Sequence, residues 1–507
     1  MLRKIASGVL LFSALASAQR GTGDWMTAAY DAQRSNWVRG DGKVTIDTVA
    51  KPGKNGPFGL EWKIKLNTVA RQGQSLTPPA LLDFYIGYRG FRALGFVAGP
   101  DRVAAMDIDL GRVEWEKGFP ASGNATAPCP AGITSAVTRP TSFDYPQAFY
   151  GRGAGRATPA RSDVGEPNEG AVTLKRVPPP RPAAPPPPPP TATAKPAAAA
   201  PNPFAPRIQW LLTITGDGKL HMFYVSNGEE PKPAAQFLPA GGAMSHGLIA
   251  VDGVAYVATK NGCGGVDNGV YAMDLETKQV SKWKAQGSGV AGISGVAFDP
   301  EGTAYAAGGG GELVALTSRT LGVKASYKAS GVEFTSSPMV FDYKGSPMLA
   351  VATNKGTVQM YDTQNLAKGP VGETAAIAGS GANALTTWQD AAGVRWILIP
   401  TANNIAAWKV VDKGGKAAFE RGWASKELVA PAAPVVLNGV IFALSSGKAG
   451  TPAVLYALEG TAGRELWNSG STITGHVTTG VLSAGGSRVY VGTHDGTQYA
   501  FGFPIEH

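Results

Sequence analysis

Short runs of alternating apolar and polar residues recur along this chain, each broken in the middle by a Gly, Asn-Lys-Gly or Asp-Gly turn. "LLTITGDGKLHMFYV", "VAYVATKNGCGGVDNGVYAMD", "AYAAGGGGELVAL", "MLAVATNKGTVQMYD" and "RVYVGTHDGTQYAFG" are the clearest copies. "LGFVAGPDRVAAMD", "WILIPTANNIAAW" and "VIFALSSGKAGTPAVLYAL" are weaker ones. A period of two around such a turn is the mark of a β-hairpin. The turns fall near Gly216, Gly262, Gly309, Gly356, Asn404, Gly447 and Gly496, at spacings of 46, 47, 47, 48, 43 and 49 residues. That period suits one four-stranded propeller blade per repeat. The hairpin near Gly99 adds an eighth copy.

A short apolar strand precedes each hairpin, as in "LTPPALLD", "SHGLIAVDG", "SSPMVFDYKG", "APVVLNG" and "TTGVLSAGG". These are expected to be the innermost strands. The second blade's inner strand is expected in "GITSAVTRP" (132–140), although its hairpin arrives only at 211. The last repeat ends at Phe503, too early for a fourth strand, while the N-terminal "GLEWKIKL" has no hairpin of its own. Joining these two closes the ring and covers an exposed edge. The pattern therefore predicts an all-β, eight-bladed propeller, with seven blades as the alternative count.

A second pattern overlies the first. "AAMDIDLGRVEW" and "YALEGTAGRELW" share the spacing Ala105, Asp107, Gly111, Trp115 and Ala457, Glu459, Gly463, Trp467. "AMDLETKQVSKW" repeats it from Ala272 to Trp283 with one extra residue. The acid and the Gly shape the turn into the outer strand, and the Trp is expected to lie between blades with its indole N–H bonded. Trp115, Trp283 and Trp467 are thus structural. Asp107, Asp109 and Gly111 also resemble part of a Ca²⁺ loop, but no bidentate Glu follows at the needed spacing, so no metal is assigned.

Composition changes the picture at both ends and in one insertion. Residues 1–18 read as a signal peptide: Arg3 and Lys4, an apolar run, then Ala16-Ser17-Ala18 before Gln19. This places the mature propeller (19–507) outside the cytoplasm, periplasmic or secreted, and no later run is apolar and long enough to span a membrane as a helix. In an oxidising compartment Cys129 and Cys263 could pair; two buried thiols are the alternative. Residues 151–206 form a Pro/Ala-rich insertion within the second blade, expected to be extended and disordered because such composition cannot pack a core. The formal charge of +9 falls to +7 without the two leader cations, and 151–207 carry eight Lys/Arg against three Asp/Glu. The folded remainder is near neutral, which argues against a nucleic-acid partner.

The Ala-Asp-Gly-Trp spacing resembles the tryptophan-docking motif of the quinoprotein β-propellers, the pyrroloquinoline quinone (PQQ) dehydrogenase superfamily. "DWMTAAYDAQRSNW", "TIDTVAKPG" and "GLEWKIKL" look like that superfamily's opening, with Trp25, Tyr30, Asp31, Arg34, Ile46, Val49, Leu60 and Trp62 in order. The resemblance covers most of 24–503 outside the insertion. It implies a quinoprotein-type fold, and for the enzymes a PQQ held between a Trp floor and two adjacent cysteines, with Ca²⁺ on Glu and Asn and an Asp base. The superfamily also holds non-catalytic propellers that scaffold outer-membrane protein assembly.

Here no adjacent cysteines and no CxxCH haem site occur. The best fragment toward a cofactor floor is Trp388 on an inner strand, with Asp390 as a candidate base. Ser245, His246 and His476 at the starts of inner strands complete the candidate ligand funnel, since neutral imidazoles near a channel can act as bases or ligands. No G-x-S-x-G elbow is present, and "GGGG" (308–311) reads as a hairpin turn. The expectation is a non-catalytic exported propeller that binds an envelope protein or a small molecule, with no cofactor assigned. PQQ-dependent oxidation of an alcohol or sugar, using PQQ and Ca²⁺, is the alternative. The pattern does not encode an oligomeric state.

Overall fold

The computed structural model describes residues 24–52, 56–69, 73–87, 90–120, 126, 128–146, 209–239, 241–377, 381–478 and 482–504. The leader (1–18) and the insertion (151–206) lie outside the described residues.

The alternating runs form eight sheets, each a blade of antiparallel strands, to which Trp37–Val38 and Pro140–Thr141 add short parallel strands at the inner edges of 435–437 and 244–251. In chain order, blade 1 spans 80–118, blade 3 spans 244–284, blade 4 spans 297–328, blade 5 spans 339–373, blade 6 spans 386–424 and blade 7 spans 435–468. Blade 2 has three strands over 210–236, and Thr138 bridges Leu212 on its inner side, within the stretch expected to hold that strand. Blade 8 takes three strands from 483–502, and Gly59–Lys65 pairs antiparallel with Thr497–Gly502 as its outer strand. The ring is thus eight-bladed and closed by the N-terminal strand, as the pattern predicts. The core is apolar on both faces of each inner hairpin: Phe96, Phe223, Phe298, Phe341 and Phe442 are all fully buried. Sheets that pack on both faces need such continuous apolar strands.

The tryptophans fasten successive blades. Trp115 donates its indole N–H to the Val225 carbonyl of blade 2 at 3.0 Å. Trp283 packs into a cluster with Phe298, Ala304 and Val314 of blade 4. Trp467 stands edge-on to Phe58 and Phe501, on the blade 8 side. Two further tryptophans do the same work: Trp62 donates to Ile108 O at 2.9 Å, and Trp423 donates to Gly460 O at 3.0 Å. The motif glycine has a role beyond the turn. A Cβ on Gly111 would stand 2.5 Å from the Trp62 ring, and one on Gly463 would stand 2.3 Å from Trp423. Each glycine is the seat for the preceding blade's tryptophan.

Cys129 and Cys263 form a disulfide across 134 residues of sequence, with Cα atoms 5.5 Å apart. It ties the segment leading into blade 2 to the hairpin turn of blade 3.

The segment 24–41 visits every blade. Trp25 O accepts from Leu81 N of blade 1 at 2.7 Å, and Met26 O accepts from Arg139 N beside blade 2 at 2.7 Å. Thr27 Oγ1 donates to Leu248 O of blade 3. Ala32, Gln33, Ser35 and Asn36 carbonyls accept from Phe298, Val340, Thr387 and Val436, on blades 4 to 7 in turn, at 2.9–3.0 Å. Asp41 then accepts from Ser487 N and Oγ on blade 8. Inner strands would otherwise present unpaired N–H groups to the channel, which is costly when buried. The path curls tightly enough to place Ala29, Tyr30, Arg34 and Asn36 at positive φ, a strained state for side-chain-bearing residues that only surrounding contacts sustain.

Candidate functional site

Hairpin turns and the starts of the inner strands share one face, here called the mouth. His494 N, for example, donates to His476 O, and Gly309 N donates to Gly289 O. Small polar residues begin the inner strands because the backbone there leaves the sheet and needs local partners. Most of these hydroxyls are committed to seams between blades. Ser75 Oγ lies 3.0 Å from Thr478 Oγ1, joining blades 1 and 8. Ser245 exchanges two hydrogen bonds with Thr134, linking blades 2 and 3. Ser337 Oγ accepts from Ser294 N between blades 4 and 5, and Thr386 Oγ1 donates to Pro434 O between blades 6 and 7. Ser245 is therefore a seam residue at the mouth.

Arg34 lies at the centre of the N-terminal segment and is fully buried. Its Nε donates to Val296 O at 2.8 Å, Nη1 to Ala28 O and Thr27 Oγ1, and Nη2 to Gly247 O at 2.9 Å. All four acceptors are neutral. Burial pulls its pKa down to about 9, opposed by Asp31, so it remains a cation at neutral pH. The Asp31 carboxylate is itself bonded to Ser35 and paired with Arg39.

His246 sits beside this group and is 4% exposed. Neither ring nitrogen has a hydrogen-bond partner among the described residues. Burial drives its pKa well below the ordinary imidazole value, and the charges of Lys260 and Arg34 push the same way; the Val290 backbone opposes this without reaching hydrogen-bond geometry. Lys260, on the adjacent strand two residues beyond His246's partner Ala258, donates to Gly292 O at 3.1 Å, and burial lowers its pKa. Ser294 Oγ, 1% exposed as a residue, is likewise without a partner. Arg34, Lys260 and Ser294 were not legible as site residues, because nothing in an isolated Arg, Lys or Ser marks which faces a channel.

The other expected positions lie elsewhere. Trp388 packs in the core between blades 6 and 7, with Trp396, Leu398 and Ile441. Its ring faces Gly460, where a Cβ would come within 2.6 Å. It is a blade-packing residue, and this corrects the expectation of a funnel floor: an inner-strand side chain can face the neighbouring blade as readily as the channel. Asp390 sits in the turn after that strand. One carboxylate oxygen accepts from Ala392 N and Val394 N, the other from Trp396 Nε1 at 2.8 Å, so the group shapes a hairpin. His476 stacks on His494 with ring centroids 3.7 Å apart at the mouth. Partial burial and the His494 charge lower its pKa, against Asp495.

The parts of a PQQ sandwich are therefore not assembled. The two cysteines are joined to each other across 134 residues rather than adjacent, Trp388 is inside a blade seam, and Asp390 is held by its own turn. Among the described residues no three His, Cys, Asp or Glu side chains converge to hold a metal ion. Trp388, Asp390 and the two cysteines are thus not arranged as the resemblance implies for PQQ. Among the described residues, no helix is long and apolar enough to cross a membrane.

No family model and no curated protein matches the chain. Solved structures do. Quinohemoprotein alcohol dehydrogenase from Comamonas testosteroni is 14% identical with a TM-score of 0.58, covering 98% of this chain and 84% of its own. A europium-containing methanol dehydrogenase is 12% identical with a TM-score of 0.57, covering 97% and 100%. The computationally designed protein Ika8 is 10% identical with a TM-score of 0.51, covering 86% and 98%. At these identities the likeness is one of fold. Together with the docked tryptophans and the closing N-terminal strand, it makes this chain an eight-bladed β-propeller whose fold is like that of these dehydrogenases.

Proposed function

We propose that the protein is an exported, non-catalytic propeller that binds a small ligand at its channel mouth or an envelope protein across its face. The observation that carries this reading is the employment of the candidate chemistry in holding the ring together. Asp390 serves a turn, Trp388 a seam, and most of the hydroxyls at the mouth join blade to blade. A site for covalent or redox chemistry needs groups free to meet substrate. Export rests on the leader sequence, and N-terminal sequencing of the secreted or periplasmic chain should begin at Gln19. A mature chain that retains Met1 would remove that part of the proposal.

The alternative, PQQ-dependent oxidation of an alcohol or sugar, draws support from the alcohol and methanol dehydrogenases among the fold neighbours. Calorimetric titration of the mature protein with PQQ and Ca²⁺, followed by a dye-linked alcohol panel, separates the two. We expect neither saturable uptake nor dye reduction. Saturable uptake with dye reduction would make the protein an enzyme and overturn the scaffold reading.

A further inference from the structure

We infer that His246, Lys260 and Ser294 form a binding site for a small oxyanion, a carboxylate or phosphate group entering from the mouth between blades 3 and 4. This rests on the ligand-binding reading of the channel and names the chemistry of its ligand.

Three observations converge. The first is position. His246 lies in the inner strand of blade 3 and Ser294 three residues before that of blade 4, and the two segments touch at glycine: a Cβ on Gly247 would stand 2.3 Å from the Ser294 carbonyl carbon. Lys260 reaches the same place, since its Nζ bonds to Gly292 O, two residues before Ser294. The second is unmet hydrogen bonding. Both His246 nitrogens and Ser294 Oγ are deeply buried and without partners among the described residues. Buried polar side chains are usually bonded; Trp25 Nε1, Asn36 Oδ1 and Tyr490 Oη also lack partners among the described residues, and His246 and Ser294 differ in lying on adjoining segments that Lys260 reaches. Lys260 brings three N–H donors, of which one is engaged.

The third is charge. Arg34 and Lys260 both act on His246, and their hydrogen-bond acceptors are carbonyls and one hydroxyl. Neither has a salt bridge to a carboxylate among the described residues, and the Asp31 carboxylate that opposes Arg34 is bonded to Ser35 and Arg39. Buried positive charge without a counter-charge is unfavourable, and an oxyanion supplies one. A cation would meet repulsion from two sides. Donors outnumber acceptors at the site, which suits the lone pairs of a carboxylate or phosphate.

The chain has five histidines, so isotope-labelled histidine gives few enough nitrogen resonances to follow His246 by NMR. The mature protein is titrated in separate arms with sodium acetate and sodium phosphate, at ionic strength held constant with sodium chloride. A saturable shift of the His246 ring nitrogens, with His221 unmoved, is expected in at least one arm. The responding arm assigns the ligand to the carboxylate or the phosphate class. Lys260→Met should weaken the response by about thirtyfold or more, and Ser294→Ala should weaken it less. No saturable shift in either arm overturns the inference, as does a shift that chloride alone reproduces. An unchanged affinity in both folded variants does the same. Dye reduction with PQQ would defeat the scaffold reading while leaving the His246 titration to stand or fall separately.

Discussion

Arg34 Nη2 donates to the Gly247 carbonyl at 2.9 Å, joining the N-terminal segment to the start of the blade 3 inner strand beside His246. The same guanidinium also bonds to Val296 O on the approach to blade 4 and to its own segment at Thr27 and Ala28. One side chain thus holds a strained turn of backbone in the channel and fixes it against two blades. Arg34→Met keeps the side chain's bulk but leaves these buried acceptors unbonded. Orphaned buried groups cost about 1–3 kcal/mol each, partly relieved by relaxation. A stability loss of about 3 kcal/mol or more in urea unfolding is expected; a loss below about 0.5 kcal/mol would mean that Arg34 does not anchor the segment.

The seating of Trp423 on Gly463 and of Trp62 on Gly111 separates two effects that a glycine substitution usually confounds. Gly463, Gly111 and Gly414 all have positive φ, at +69°, +62° and +65°. Only the first two face an indole; a Cβ at Gly414 meets nothing within 4 Å. Gly414→Ala should therefore cost only the backbone strain, about 1–2 kcal/mol. Gly463→Ala and Gly111→Ala should cost about 2 kcal/mol more, from displaced tryptophans and lost indole hydrogen bonds. Equal thermal shifts in all three variants would show that the tryptophans do not depend on their glycine seats.

Acid should weaken the fold through its buried histidine. The folded pKa of His246 lies well below that of the unfolded chain, about 6.5, because burial, Lys260 and Arg34 all disfavour the imidazolium. The unfolded state then binds the proton first. Stability is whole above about pH 6.5 and declines below it, with a slope approaching 1.4 kcal/mol per pH unit for this group alone. The carboxylates with depressed pKa values, such as Asp101, Asp217 and Asp495, lose their contributions only at lower pH. Between about pH 5 and 6.5 His476, whose pKa is also lowered, contributes in the same direction, so His246→Gln should reduce the slope and leave the His476 part. A variant as acid-sensitive as the parent would assign the effect to other groups.

The Cys129–Cys263 disulfide joins residues 134 positions apart in the sequence. A loop of that length removes about 5 kcal/mol of unfolded-state entropy in the chain-constraint account. Replacing both residues with Ser should lower the melting temperature of the mature protein, and a reducing agent should have no further effect on that variant. Mass mapping of an unreduced digest should find the two cysteines in one linked peptide pair. Two free thiols in the native protein would contradict the pairing.

Much of this architecture is written locally. Strand alternation and turn residues depend only on neighbours in the chain, so the hairpins, their period, the eight blades and the closing role of 59–65 follow from the sequence by itself. The tryptophan spacing is equally local, and it marked Trp115, Trp283 and Trp467 as blade fasteners. Packing decided the rest. Whether Trp388 faces the channel or the next blade depends on the glycines opposite, Gly439 and Gly460, which lie more than fifty residues away in the sequence. Two cysteines permit either a bridge or two thiols, and only the approach of blade 3 to the entry of blade 2 brings Cys129 and Cys263 together. The path of 24–41 around all eight inner strands was not legible, since its hydrogen bonds are to backbone atoms that carry no residue signature. The meeting of Arg34, His246, Lys260 and Ser294 follows from that path, because buried charge has meaning only once the surrounding surface has been removed from water.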